Sequence, residues 1–186
     1  MDAVPNVSEV QRDRDDIVSD SILTVGRYSV NMMSLTWPKV FSLWDRLRRF
    51  RTLFSDLTRG DFMNFVSYVT NNDTLWLEVY EDKRLSGIVV VEKMSLIVDA
   101  EAHVLFMDRD LSNKIPVCKA MMRWLFETFP LQRLTLQIPE IYFAPIRLAN
   151  SLGFKREGKK RQAVLISGKW VDVFVLGLTR GEACRS

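Results

Sequence analysis

The stretch that most constrains this chain is Arg147-Leu148-Ala149-Asn150-Ser151-Leu152-Gly153-Phe154-Lys155-Arg156-Glu157-Gly158. Ile141, Pro145, Leu148, Ala149 and Leu152 recur at helical spacing, and Gly153 stands where a helix end favours a residue that tolerates positive φ. The spacing predicts a helix over 141–151 that stops at Gly153, with Phe154 folded back on its last turn. Glu157-Gly158 predicts a turn. Two strands, 163–166 and 171–178, are then expected to meet at Ser167-Gly168.

Upstream, residues 22–30 alternate loosely and predict a first strand with Gly26 as its weak point. A helix is expected from Thr36, with Trp37 and Pro38 in its first turn and Val40, Leu43, Trp44, Leu47 and Phe50 along one side. Its other side carries Lys39, Arg46, Arg48, Arg49 and Arg51, which reads either as a solvated basic face or as a contact for phosphate or an acidic substrate. A second helix runs from Arg59-Gly60-Asp61 to Val69. Strands are expected at 74–80 and 86–93, joined by Glu81-Asp82-Lys83-Arg84, with Gly87 marking a bulge or a close approach. A strand over 102–107, a helix over 117–129 and a strand over 133–138 lead into the closing helix and hairpin.

At 186 residues, 47% apolar and 26% charged, the chain reads as one globular domain over 21–180. Residues 1–20 hold six acids against two arginines and are expected to form a flexible tail; 181–186 reads as a C-terminal tail. Two cysteines, Cys118 and Cys184, point to neither a disulfide nor a metal site, and a reducing, cytoplasmic setting is expected. No run approaches the roughly 18–20 apolar residues of a membrane span. Phosphate-loop, dinucleotide, metal-ligand and serine-nucleophile motifs are all missing from the sequence. The aromatic residues fall at core spacing, which does not suggest stacking on nucleic-acid bases.

The run from Leu148 to Gly158 with Arg161, then Gly168-Lys169-Trp170-Val171-Asp172 and Leu176-Gly177-Leu178, resembles the end of the GNAT acetyltransferase superfamily. It is most similar to the branch that acetylates ribosomal-protein N-termini, and the resemblance spans about 75–180. It implies an α/β (α+β) fold: a central mixed, mostly antiparallel sheet with a splayed parallel strand pair, flanked by helices. It further implies an N-acetyltransferase that uses acetyl-CoA on a primary amine, either a protein N-terminus or lysine or a small amine, and it leaves a homodimer open.

On this resemblance the cofactor belongs to Phe106, Met107, Arg109, Leu111, Ser112, Asn113, Lys114, Ile115 and Asn150. Arg109 takes the leading basic position of the phosphate loop and Lys114 adds charge, but the segment contains no glycine where the family usually has two. Tyr142 and Pro145 stand where the N-terminal acetyltransferase branch carries Asn and Ser, and Asn150 where many members carry a Tyr. Glu101 and His103 are the candidate bases, and Tyr142 the candidate acid for the departing thiolate. Each also has a structural reading: a solvated strand-end carboxylate, a satisfied strand histidine and a packed tyrosine. Trp170, Asp172 and Arg161 fit the closing motif as residues that shape the hairpin. Lys155, Arg156, Lys159, Lys160 and Arg161 form a basic cluster that is either a solvated loop or a contact for the cofactor's 3′-phosphate, an acidic protein or RNA. The competing reading is a GNAT-like domain without a cofactor, acting as a structural or interaction module.

Overall fold

A computed structural model describes residues 21–48, 61–94, 98–107 and 111–183. In chain order these form β1 (Ser21–Val25), β2 (Tyr28–Met32), α1 (Trp37–Leu47), α2 (Phe62–Val69), β3 (Thr74–Glu81), β4 (Arg84–Glu92) and β5 (Asp99–Phe106). A 3-10 turn (Ser112–Lys114) then enters α3 (Ile115–Thr128), followed by β6 (Arg133–Pro139), α4 (Phe143–Ser151), β7 (Lys155–Ile166), β8 (Lys169–Thr179) and α5 (Arg180–Ala183). The strands form one sheet in the order β1-β2-β3-β4-β5-β6-β8-β7. Every neighbouring pair is antiparallel except β5 and β6. No helix among the described residues is long and apolar enough to cross a membrane.

Two helical layers cover the sheet. On one face α3 presents Val117, Met121 and Leu125 to Val79, Val89 and Val91. On the other, Leu43 and Leu47 of α1 and Phe65 and Val69 of α2 pack on Trp76 and Val90. Each such side chain, fully buried, contributes about 1.5–3 kcal/mol relative to exposure. The alternation in β3 and β4 serves both layers at once, which is why Val89, Val90 and Val91 are all buried.

Local signals at the helix ends are obeyed at Gly153 and Asp61 but not at Thr36. Phe154 N–H donates to the Ala149 carbonyl at 3.1 Å and Gly153 N–H to the Asn150 carbonyl at 3.1 Å, with Gly153 at φ +92°. That pair of bonds stops α4 where Gly153 predicts a stop. Asp61 caps α2 through Asn64 N–H at 2.9 Å. Thr36 occupies the N-cap of α1 in extended conformation without a side-chain cap bond, and Pro38 sits in the first turn. The far end of α3 is closed from a distance. Arg180 donates to the carbonyls of Leu131 (2.8 Å), Phe129 (2.7 Å) and Phe126.

Two expectations are corrected. Residues 22–30 are not one strand but the hairpin β1–β2, because Gly26 at φ +58° lets the chain reverse there. Glu157-Gly158 is not a turn: β7 starts at Lys155 and absorbs that dipeptide as a bulge against β8. A second irregularity at Gln162 (φ +49°) is held by Asp172, whose Oδ1 accepts Gln162 N–H at 2.8 Å.

Candidate active site

The parallel ladder between β5 and β6 is short. It pairs Asp99 with Arg133, Ala100 with Leu134 and Glu101 with Thr135, after which the strands part. Met107 N–H still donates to the Ser86 carbonyl at 2.8 Å, so the odd-numbered residues of β5 turn their backbone groups toward β4. By the alternation of an antiparallel ladder, the N–H groups of Val104 and Phe106 point the other way, into the opening. A polar rim of backbone is thereby left where β6 has swung aside.

Beside this opening, on the face covered by α1 and α2, polar side chains converge. Glu101 is buried; its Oε1 accepts Gln137 Nε2 from β6 at 2.7 Å and its Oε2 pairs with Lys93 Nζ at 2.8 Å. Lys160 Nζ in turn donates to Gln137 Oε1 at 2.7 Å. His103 Nε2 lies 3.5 Å from Glu92 Oε1 and 3.9 Å from Glu101 Oε1. Glu92 also accepts the Tyr68 hydroxyl of α2. Burial alone would raise the Glu92 carboxyl, but the His103 ring beside it and the bond from the Tyr68 hydroxyl outweigh that and hold the group below its usual range. Burial, reinforced by the bond to Glu92, pushes the Tyr68 phenol up, so it remains a donor. His103 Nε2 is buried while the side chain as a whole is 39% exposed.

Across the sheet, the turn Ser112–Lys114 leads from β5 into α3. Lys114 N–H donates to the Leu111 carbonyl at 3.2 Å, Ile115 N–H to that of Ser112, and Pro116 brings no donor. Asn113 Oδ1 is buried and has no hydrogen-bond partner among the described residues. The Lys114 ammonium faces away from this turn. It is completely buried, paired with Glu81, 3.0 Å from Ser86 Oγ and 4.8 Å from the centroid of the Tyr28 ring. Glu81 also meets Arg27 Nη2 at 2.6 Å. The charge that the sequence assigns to a phosphate is therefore held inside the fold, because β3 offers a carboxylate directly beneath the turn.

Solved structures share this fold. The spermidine N-acetyltransferase SpeG from Vibrio cholerae, solved with CoA and spermine, superposes with a TM-score of 0.70 at 13% identity, over 83% of this chain and 98% of that one. The ribosomal-protein-S5-alanine acetyltransferase from Vibrio fischeri gives 0.65 at 13% identity, over 84% and 95%. The chain has the GNAT fold. At the level of sequence, no family model and no curated protein matches it.

Within the GNAT fold the residues singled out from the sequence separate into groups. Glu101 and His103 stand together beside the strand opening, as the i, i+2 alternation of β5 requires. Tyr142 is elsewhere: it precedes α4 beyond Pro139, and residues 135 to 139 put about 13 Å of strand between it and the level of Glu101. Phe106 is buried under Gly87 and Lys114, so it offers the opening its backbone rather than its ring. Met107 is half-buried, and Leu111 and Ile115 pack on the core. Ser112 is exposed, as is Asn150 in the last turn of α4. Arg109 lies outside the described residues, as do Arg49, Phe50, Arg51 and Cys184. Cys118 is buried in α3, and its thiol is pushed up to about 12 by that burial.

The basic cluster of β7 is largely engaged within the chain. Lys155 pairs with Glu182 (2.5 Å) and Lys159 with Asp172 (2.6 Å), Lys160 holds Gln137, and Arg156 lies 3.6 Å from the centroid of Phe174. On α1, Lys39 meets the buried Glu78 at 2.6 Å. Glu92, Gln137 and Tyr68 went unrecognised in the sequence. Gln137 had a signal available: it is the polar residue that follows Leu134, Thr135 and Leu136 in a strand expected to splay.

Proposed function

We propose that this protein transfers an acetyl group from acetyl-CoA to a primary amine. The observation that carries the reading is the parting of β5 from β6 directly beside the Glu101–His103 pair. Acetyl-CoA supplies the activated acyl group; the residues of this chain bind, orient and move protons. Val104 and Phe106 N–H line the opening, and such fixed donors stabilise an oxygen that gains negative charge. The turn of Leu111, Ser112 and Asn113 at the start of α3 is the region proposed to hold the phosphates, with the positive end of the helix behind it. Glu101 and His103 accept the proton of the incoming ammonium. Tyr142, past the C-terminal end of β6, is the group proposed to return a proton to the sulfur.

A small cationic amine is the acceptor that the site supports best. Glu92 and Glu101 place two carboxylates on the acceptor face, and an ammonium is drawn to that pair before it is deprotonated. A protein N-terminus or lysine shares the same reacting group. SpeG was solved with spermine, and the Vibrio fischeri structure is of an enzyme named for the S5 alanine, so both acceptor classes occur within the fold.

One observation favours a different reading, a binding module without a cofactor: the turn has no glycine and its lysine is turned inward. Calorimetric titration with acetyl-CoA and with CoA separates the two. Micromolar binding that a Ser112→Glu, Asn113→Glu double variant abolishes is the expected result, followed by acetylation of spermidine in preference to an N-terminal peptide. A folded protein that binds neither cofactor at millimolar concentration is a module.

A further inference from the structure

Lys93 follows the last residue of β4 with φ +61°, a left-handed conformation that a lysine rarely adopts. In this conformation the side chain reaches back over the ladder, and Nζ rests 2.8 Å from Glu101 Oε2 with half of the side chain exposed. The other oxygen of the same carboxylate is bonded to Gln137 of β6, so Lys93 holds a primary amine one carboxylate away from the strand opening. That is the placement an acceptor amine needs: on the proposed base, at the rim, and reachable from solvent. Lys39 provides an internal comparison. It also holds a buried carboxylate, Glu78, but that group lies on β3, two strands from β5.

We propose that Lys93 is itself an acceptor, acetylated on Nζ by its own chain when no free amine occupies the site. The inference rests on the acetyltransferase reading above. Glu101 removes one proton from the ammonium, and the freed lone pair forms the N–C bond to the thioester carbonyl carbon as the C–S bond breaks. One proton of the nitrogen ends on the CoA thiol and the other leaves to solvent through Glu101. The product is a neutral amide in place of a cation. Glu101 thereby loses its ion pair and keeps Gln137, so the modification changes the charge that an incoming ammonium meets. An empty site thus marks itself.

The test has two arms. In the first, without cofactor, the protein is labelled with a trace of an amine-reactive acetylating reagent and digested. Lys93, held as an ammonium on Glu101, is expected to react several-fold more slowly in the wild type than in Glu101→Gln, with Lys39 unchanged between the two. In the second, isotopically labelled acetyl-CoA is added without acceptor, and the Lys93 peptide is expected to carry at least tenfold more label than the Lys39 peptide. Added spermidine should suppress that label. Lys93→Arg, which keeps a cation on Glu101, should lose it. If spermidine is acetylated while Lys93 gains no more label than Lys39, the inference fails and the acetyltransferase reading stands. If acetyl-CoA does not bind and spermidine is untouched, both are overturned.

Discussion

Gln137 Nε2 lies 2.7 Å from Glu101 Oε1, joining two strands whose backbones have already separated. The bond fixes the Glu101 carboxylate where the ladder no longer does. Gln137→Leu removes it while Lys93 remains, so the loss falls at or below the low end of the ~1.5–3 kcal/mol typical of bonds to charged groups. We expect kcat/KM for amine acetylation to fall about fivefold to tenfold. The melting temperature should change little, and steady-state kinetics beside scanning calorimetry reads both. An unchanged kcat/KM would show that Glu101 needs no support from β6.

The buried pair of Lys114 and Glu81 is asymmetric. Lys114 is fully enclosed, whereas Glu81 retains 19% side-chain exposure and a second cation, Arg27. Glu81→Gln strands an ammonium in the core and should cost at least ~2 kcal/mol, because an unpaired buried charge is worse than no charge. Lys114→Met leaves Glu81 with Arg27 and water and should cost less. Urea unfolding of both variants checks the order, and a larger loss in Lys114→Met would contradict it.

Gly87 faces the Phe106 ring. A Cβ there would lie 2.8 Å from Phe106 Cε1 and 2.9 Å from the Leu105 carbonyl oxygen. Gly87→Ala therefore overpacks the floor of the opening and is expected to destabilise by about 1–3 kcal/mol. Adding Phe106→Leu should restore part of that loss. The pair of thermal melts separates a ring clash, which the second change relieves, from a backbone clash, which it does not.

Glu182 gives a pH dependence with a defined sign. The Lys155 ammonium, then the Thr179 N–H and hydroxyl, lower its carboxyl from 4.5 to about 2. A group whose folded value is depressed adds stability that is complete above its unfolded value and disappears as pH falls through the folded one. The melting temperature of the wild type should exceed that of Glu182→Gln above pH 4.5, and the two should converge as pH falls toward about 2. Added salt should shrink the Lys155 share and leave the Thr179 bonds. A gap that persists down to pH 2 would place the stabilisation elsewhere.

What could be read from the sequence was local. The stop of α4 at Gly153 and the tight reversal at Asp82-Lys83 each depend on residues within six positions, and each forms. What escaped depends on partners far along the chain. The first half of β7, residues 155–161, reads as a turn and polar loop because its register comes entirely from β8. Lys114 reads as an exposed cation because its carboxylate lies 33 positions away. Glu101 and His103 were named as candidate bases because the resemblance expects a base near the start of the splayed strand. Glu92 and Gln137 were not, since only the pairing of β5 with β4 and β6 brings them beside those residues.

Arg180 closes α3 from the far end of the chain, by bonding carbonyls at Phe126, Phe129 and Leu131. The helix that begins at the proposed phosphate turn is thus finished by a residue made some fifty positions later. Those carbonyls meet the Arg180 guanidinium only when β8 lies beside β6 and carries it there. The end of the helix behind the candidate site therefore depends on the pairing of β8 with β6.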